Sequence, residues 1–276
     1  MTEPRIRFLI GGVQKGGTSA LAAYLSRHPA IALPDRRASD GPPPPGWHPA
    51  WLKEAHVFDA PDYSAGWDVE VVDRRFARSF TAFGADGRLH GDATPATVFL
   101  PGVVDRVARY NPAMRWVLVL RDPVERAISH YYMERSRGAE RLPLLAALLV
   151  ERWRLRKGPR RAEVAWRQYS YQARSRYRAQ LQALFARFPR AQVLVLANDD
   201  LAQQPAATVA RVLRFLGLPD LPAGGQAWPR VFDGGYVPPS AWSPGRLWLD
   251  GVLAAERRAW RGLCTPAATD SGSGQG

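Results

Sequence analysis

The sequence predicts an α/β domain whose central parallel sheet is flanked by helices on both faces. Three observations carry this reading. Short, almost wholly apolar runs recur along the chain (Phe8-Leu9-Ile10, Trp116-Val117-Leu118-Val119-Leu120, Val193-Leu194-Val195-Leu196-Ala197), as strands buried on both faces require. Stretches with apolar residues at helical spacing lie between them. The first run also passes through Gly11-Gly12 into a glycine-rich turn and then a helix-like stretch, the opening half of a βαβ unit.

Taken in order, residues 5–10 predict the first strand and residues 20–27 a helix that His28-Pro29 stops. Residues 34–49 include Pro42-Pro43-Pro44-Pro45-Gly46 and predict an exposed loop. Residues 89–92 read as a short strand, 98–110 as a helix and 115–120 as the clearest internal strand. Asp122-Pro123 supplies an N-cap and a first-turn proline for the next helix. Residues 135–167 carry ten Arg or Lys side chains with few acids, which predicts helical pieces around a basic loop. Residues 168–188 and 206–216 read as helices and 192–197 as a strand; from residue 226 onward, tryptophans and prolines predict a loop-rich end. One domain is expected over residues 1–265, with 266–276 a disordered tail.

Composition narrows the chemistry. Lys and Arg total 38 against 25 acidic residues, a net charge of +13 over 276 residues. Such a surface attracts anions, so nucleic acid, an acidic membrane face, an anionic cofactor and a polyanionic substrate all remain open on charge alone. Cys264 is the only cysteine, which excludes an internal disulfide and a cysteine-based zinc site. The apolar run at residues 8–13 is too short to span a membrane and lacks a signal-peptide pattern, so a cytoplasmic location without a transmembrane segment is expected. No oligomeric state can be read from the sequence.

Three short segments carry chemistry. The first is Gly12-Val13-Gln14-Lys15-Gly16-Gly17-Thr18-Ser19. Amides at a helix N-terminus bind anions, glycines permit close approach, and Lys15 adds a point charge. Lys15 precedes the glycines, so the segment is P-loop-like in outline but fails the Walker A pattern, which ends in Gly-Lys-Ser/Thr; a purely structural turn would share that outline. The second runs from Leu120 to Tyr131 and contains Arg121, Arg126, Ser129 and His130. Arg121 leaves the carboxyl end of a strand, where open α/β sheets bind ligands. Arg126, Ser129 and His130 share a helix face, so an Arg fork plus a hydroxyl could receive a phosphate monoester, or the arginines could be solvated. The third is Lys53-Glu54-Ala55-His56-Val57-Phe58-Asp59. If extended, it places Glu54, His56 and Phe58 on one side, where a carboxylate beside an imidazole can remove a proton; a surface strand with a satisfied histidine would look the same. Only three lysines occur, Lys15, Lys53 and Lys157. Two of them sit in these segments although the chain otherwise uses Arg, whose planar fork does not replace a compact ammonium.

Together these segments resemble the sulfotransferases that use 3'-phosphoadenosine 5'-phosphosulfate (PAPS), most closely the heparan sulfate glucosaminyl N- and 3-O-sulfotransferase type. The resemblance implies a 5'-phosphosulfate loop made of Lys15, Gly16, Gly17, Thr18 and Ser19, and a 3'-phosphate motif containing Arg121 and Ser129. It implies Glu54 as catalytic base, assisted by Lys53 and His56, with Asp59 near the acceptor. Gly91-Asp92-Ala93-Thr94-Pro95 and residues 188–195 also resemble family segments. The family's Lys-Gly-Arg loop and its disulfide are missing; Pro244-Gly245-Arg246 is the candidate substitute, which would bring Arg246 to the cofactor. Val57 replaces one family phenylalanine, and no Golgi-type anchor is expected. The implied reaction is sulfuryl transfer from PAPS, without a metal, to a hydroxyl or amine of a glycan, lipid or small metabolite, releasing PAP.

Two other readings differ by class. A P-loop kinase or nucleoside phosphotransferase would need a Walker lysine, which is absent, and Mg²⁺ ligands. A nucleic-acid-binding protein would use the basic segment at residues 135–167, though no nucleic-acid partner is expected. That segment could equally steer an anionic acceptor or be a solvated face.

Overall fold

A computed structural model describes residues 3–36, 52–156, 159–222, 227–229 and 235–264, with 159–163 described by their backbone alone. Five strands, β1 (Ile6–Gly12), β2 (Ile31–Ala32), β3 (Leu89–Asp92), β4 (Arg115–Leu120) and β5 (Val193–Ala197), form one sheet in the order β2-β3-β1-β4-β5. Every pairing is parallel. The apolar runs are therefore buried on both faces, as expected. Along β4, Trp116, Leu118 and Leu120 point into one layer and Val117 and Val119 into the other, the two-residue alternation of a strand.

One face is covered by α1 (Thr18–Leu25) and α9 (Pro205–Leu216), through Leu21, Leu25, Val209, Val212 and Leu213. The opposite face is covered by α2 (Val69–Ala77), α3 (Val103–Tyr110), α7 (Tyr177–Phe185) and α11 (Ala254–Leu263), through Phe76, Val107, Leu181, Leu184 and Trp260. A further apolar cluster joins α4 (Pro123–Ser136), α5 (Leu144–Leu155) and α10 (Pro244–Val252), with Ile128, Leu148, Tyr171 and Leu249 at its centre. The short α6 (Pro159–Gln168) and α8 (Asn198–Gln203) complete the helices.

Four expectations are corrected. The helix expected at 98–110 begins only at Val103, because Pro101-Gly102 interrupts it and Gly102 caps it at φ 75°. The residues before it form a turn, whose Val98 N donates to Gly11 O (2.9 Å). The helix expected at 168–188 is broken at Ala173–Ser175. There Arg126 takes the carbonyl of Tyr171, and Arg174 takes those of Trp166 and Arg167. The carboxyl end expected to be loop-rich contains α10 and α11; Leu249, Leu253 and Trp260 from this region are buried. Finally, residues 53–59 are a loop, not an extended segment. His56 adopts φ 52°, so the alternation fails and the neighbours Val57 and Phe58 are both buried. The proline run at 42–45 and the tail at 266–276 lie outside the described residues.

The carboxyl ends of β1, β3, β4 and β5 lead respectively into Val13-Gln14-Lys15, Ala93-Thr94, Arg121-Asp122 and Asn198. All three chemistry-bearing segments meet at this edge, where parallel sheets place their ligands.

Candidate active site

The turn after β1 is built for close approach by an anion. Val13 N donates to Val119 O (3.2 Å) and Gly16 N to Val13 O (2.9 Å), pulling the turn onto β4. A Cβ on Gly16 would lie 2.1 Å from the Val119 carbonyl oxygen, so only glycine fits. Gly17 caps α1 at φ 107°, a conformation that disfavours side chains, and Asn198 Nδ2 fixes the turn from β5 by donating to Gly16 O (2.7 Å). Helix α1 has neither a side-chain N-cap nor an acidic residue in its first turn. Its first amides are thereby left to an external acceptor.

Lys15 sits in this turn at φ 69°. Burial, then Arg137 and Arg121, lower its pKa to about 8, with Glu134 opposing and Arg126 adding a smaller push. Several positive charges thus converge on one point, the environment an oxyanion relieves. Thr18 is buried and Ser19 half-buried in the first turn of α1. Arg121 is half-buried at the end of β4, where its carbonyl accepts from Tyr177 Oη (2.8 Å), and Ser129 is buried on α4. Asp122 caps α4 by accepting from Val124 N (2.9 Å) and Glu125 N (3.1 Å). These residues fit a phosphosulfate and a second phosphate: a glycine cradle, uncapped amides and clustered cations.

Arg126 and His130 do not line an open surface; both are fully buried. Arg126 Nε donates to Ser175 Oγ (2.7 Å) and Nη2 to the Tyr171 carbonyl, making it a clamp between α4 and residues 171–175. Its Nη1, the Nη1 of Arg174 and both His130 ring nitrogens are buried without a hydrogen-bond partner. Burial, with Arg126 and Arg174 adding, pushes His130 well below the usual histidine range. It is a neutral interior ring. Arg246, on α10, reaches the first turn of α4, where Nη2 donates to Glu125 Oε1 (2.5 Å).

The loop after residue 52 hangs from β3. Asp92 Oδ1 accepts from Ala55 N (2.8 Å) and Oδ2 from Thr94 N (3.2 Å), while Ala93 N donates to Lys53 O (3.0 Å). Burial, against these hydrogen bonds, raises the Asp92 pKa to about 6. Buried Lys53 points Nζ at both Ala93 O (2.8 Å) and Glu54 Oε1 (2.6 Å). The other Glu54 oxygen faces His56 Nε2 at 3.2 Å, and His56 Nδ1 lies 3.0 Å from Asp59 Oδ2. Arg167 closes the chain by donating from Nη1 to Asp59 Oδ2 (2.7 Å) and from Nη2 to the Asp59 carbonyl.

Charges alternate along this line: Lys53, Glu54, His56, Asp59, Arg167. Burial opposes ionisation of Glu54, but Lys53 and then His56 outweigh it and hold the carboxyl at about 2. Desolvation also opposes charge on His56, yet Asp59 and then Glu54 hold it protonated well above the usual histidine range. Glu54 is therefore ionised, held between the Lys53 ammonium and the protonated His56 ring. The sequence places Glu54 and His56 together but does not mark Arg167, which is hidden in an arginine-rich run, or Asn198, whose only signal is a polar side chain directly after an apolar strand.

The sequence model of the sulfotransferase family matches residues 7–222. The chain belongs to the sulfotransferase family. Among relatives, it is 30% identical over 211 residues to the heparan sulfate glucosamine 3-O-sulfotransferase 6 of Mus musculus, covering 76% of this chain and 52% of the relative. It is 27% identical over 226 residues to the human bifunctional heparan sulfate N-deacetylase/N-sulfotransferase 2, covering 77% and 22% respectively. The chain thus spans about half the length of the first of these relatives. A crystal structure of a sulfotransferase from Alicyclobacillus acidocaldarius superimposes with a TM-score of 0.66 at 26% identity, covering 96% of each chain. The matched span contains the Lys15 turn, the Lys53–Arg167 line and the β4–α4 segment; α10 with Arg246 lies beyond it.

The coupling along the line can be read directly. Asp59→Asn leaves His56 with one carboxylate neighbour instead of two. The His56 imidazole, followed by NMR, should then titrate at least about one unit lower than in the parent; an unchanged titration would mean that Asp59 does not hold the charge.

Proposed function

We propose that this sulfotransferase moves the sulfuryl group of PAPS to a hydroxyl or amine of an acceptor and releases PAP. The observation that carries the reading is the ionised Glu54, fixed between Lys53 and His56 on a loop hung from β3, the strand next to the one that carries the Lys15 turn. In the proposed step, Glu54 takes the acceptor's proton as the acceptor oxygen or nitrogen bonds to sulfur. The bond from sulfur to the bridging phosphate oxygen breaks, and its electron pair stays on the departing 5'-phosphate. Lys15 and the amides at Gly16, Gly17, Thr18 and Ser19 face the charge that grows there. Sulfuryl transfer, like phosphoryl transfer, passes through a loose transition state, so positioning and charge neutralisation supply most of the catalysis.

Arg121 and Ser129 would receive the 3'-phosphate, and Arg246, held at α4 by Glu125, would close that side. Asp59, buried and bound to His56, would position the acceptor end of the line rather than contact the donor. The name of the first relative specifies heparan sulfate glucosamine and that of the second heparan sulfate, which favours a glycan among glycans, lipids and small metabolites. The placement of Lys15 ahead of its glycines supports sulfuryl transfer over a Walker-type kinase reaction.

Two outcomes follow. Glu54→Gln keeps the shape of the side chain but removes its basic site, so it should bind PAP normally and lose about 10²-fold or more in kcat. Near-normal turnover on the true acceptor would remove Glu54 from the step. PAP affinity should also depend on Lys15: its lowered pKa means that the free protein loses the charge as pH rises through about 8. Calorimetry should therefore show PAP binding weakening above that pH, by up to about tenfold per unit, and Lys15→Ala should abolish this limb. A flat profile between pH 7 and 10 would contradict the contact.

A further inference from the structure

The arginine-rich segment enters the site through Arg137 and Arg167, yet its middle faces solvent. On α5 and at its C-cap, Leu149, Arg152, Trp153 and Arg156 are all exposed. They follow one another at i, i+3, i+4 and i+7, which makes a single stripe along the helix. Leu149 is 53% and Trp153 63% exposed. The only acid on the helix, Glu151, turns inward to accept from Gln172 N (2.8 Å) and Ala173 N (2.8 Å). Arg152 and Arg156 make no ion pair among the described residues, whereas Arg154 is taken by Glu140.

The apolar exposure continues on the neighbouring element. Helix α10 lies against α5 so closely that a Cβ on Gly245 would come within 2.7 Å of Leu144 Cγ. Trp248 Nε1 donates to Gln172 Oε1 (3.1 Å), and Gln172 Nε2 in turn donates to Leu148 O (2.8 Å) on α5. Leu247 and Trp248 are exposed on α10, and Val237 (85%) and Trp242 (83%) on the approach to it. Among the large apolar side chains exposed in the described residues, all but Phe185 belong to α5, α6 or α10 and its approach. The exposure is thus concentrated on α5, α6 and α10 with its approach, elements that pack against one another outside the sheet.

We propose that the α5–α10 face docks on an anionic lipid membrane. Exposed leucine, valine and tryptophan interleaved with arginine is the composition of a surface that lies in the membrane interface: the apolar side chains enter the acyl boundary, tryptophan sits at headgroup level and arginine meets lipid phosphates. A polyanionic glycan would satisfy the arginines but leave Leu149, Leu247 and Val237 exposed to water. A second copy would set two arginine stripes against each other in a chain of net charge +13, which like-charge repulsion opposes. An anionic lipid surface answers both halves of the stripe, its phosphates the arginines and its acyl boundary the apolar side chains. The inference does not depend on the transfer reaction, and its readout involves no turnover.

The test is sedimentation of the full chain with vesicles of phosphatidylcholine alone and with vesicles that also contain phosphatidylglycerol, at low and high salt. The chain should bind the anionic vesicles, ignore the neutral ones and release at high salt. Each arginine at such a surface contributes roughly fivefold to partitioning, so Arg152→Gln with Arg156→Gln should weaken it about 25-fold. Trp153→Ser with Trp242→Ser should weaken it at low salt as well, where charge is undisturbed. Both double variants should keep the parent's thermal midpoint, since all four side chains are exposed. No affinity for anionic vesicles at low salt would overturn the proposal, as would binding that both variants leave intact. So would variants that lose a concentration-dependent dimer, or retention on heparin, while vesicle binding persists.

Discussion

The parallel pairing of β1 with β3 fixes how the Lys15 turn and the Glu54 loop sit beside each other. Leu9 on β1 stands opposite Asp92 on β3, and neighbouring strands lie about 4.8 Å apart. The donor turn leaves β1 three residues past Leu9. The loop bearing Glu54 is tied to the end of β3 by both oxygens of Asp92 and by the Lys53–Ala93 contacts. A carboxylate buried deeply enough to have its pKa raised to about 6 is costly to keep unless its hydrogen bonds do something. Here they set the position of the Glu54 loop relative to the Lys15 turn.

Charge is organised in two distinct ways around that frame. Along the Glu54 line the three interior ions, Glu54, His56 and Asp59, each have an opposite partner on either side, so the carboxylates and the imidazolium are stabilised in the protein alone. Around Lys15 the balance is positive. Arg137, Arg121 and Arg126 bear on it, and only Glu134 opposes them. Buried cations without full compensation are expensive, and an arriving phosphosulfate would supply the missing charge. One half of the site is complete by itself, and the other has room in its charge balance for an anion. That division suits an enzyme whose donor is strongly anionic and whose acceptor must be deprotonated only as the new bond forms.

Much of this was legible in the sequence because it is local. The apolar strands, the Gly16-Gly17 turn and the Lys53-Glu54-Ala55-His56 order all lie within short windows, and the sheet and donor turn form where those windows place them. What could not be read comes from long-range contacts. Arg167 reaches Asp59 across 108 residues and Asn198 reaches Gly16 across 182, and neither pairing leaves a periodic trace. The left-handed backbone at His56 broke the assumed alternation, although Glu54 and His56 still meet because the loop curls around Asp92 and Thr94. Helices α10 and α11 escaped because prolines and tryptophans dominate the segment before them, while their own burial depends on α4, α5 and α7. Arg126 looked like a phosphate receptor from its helical spacing. Its burial against Ser175 and Tyr171 makes it a clamp instead.

Sulfuryl transfer from a 3'-phosphorylated donor is tested most directly by isotope transfer. The protein would be incubated with ³⁵S-labelled PAPS and a panel of glycans, lipids and small alcohols and amines, in parallel with γ-³²P-labelled ATP. The predicted result is ³⁵S in an acceptor, with one PAP released per label transferred and no transfer of ³²P. Phosphoryl transfer from ATP, with PAPS left intact across the panel, would contradict it.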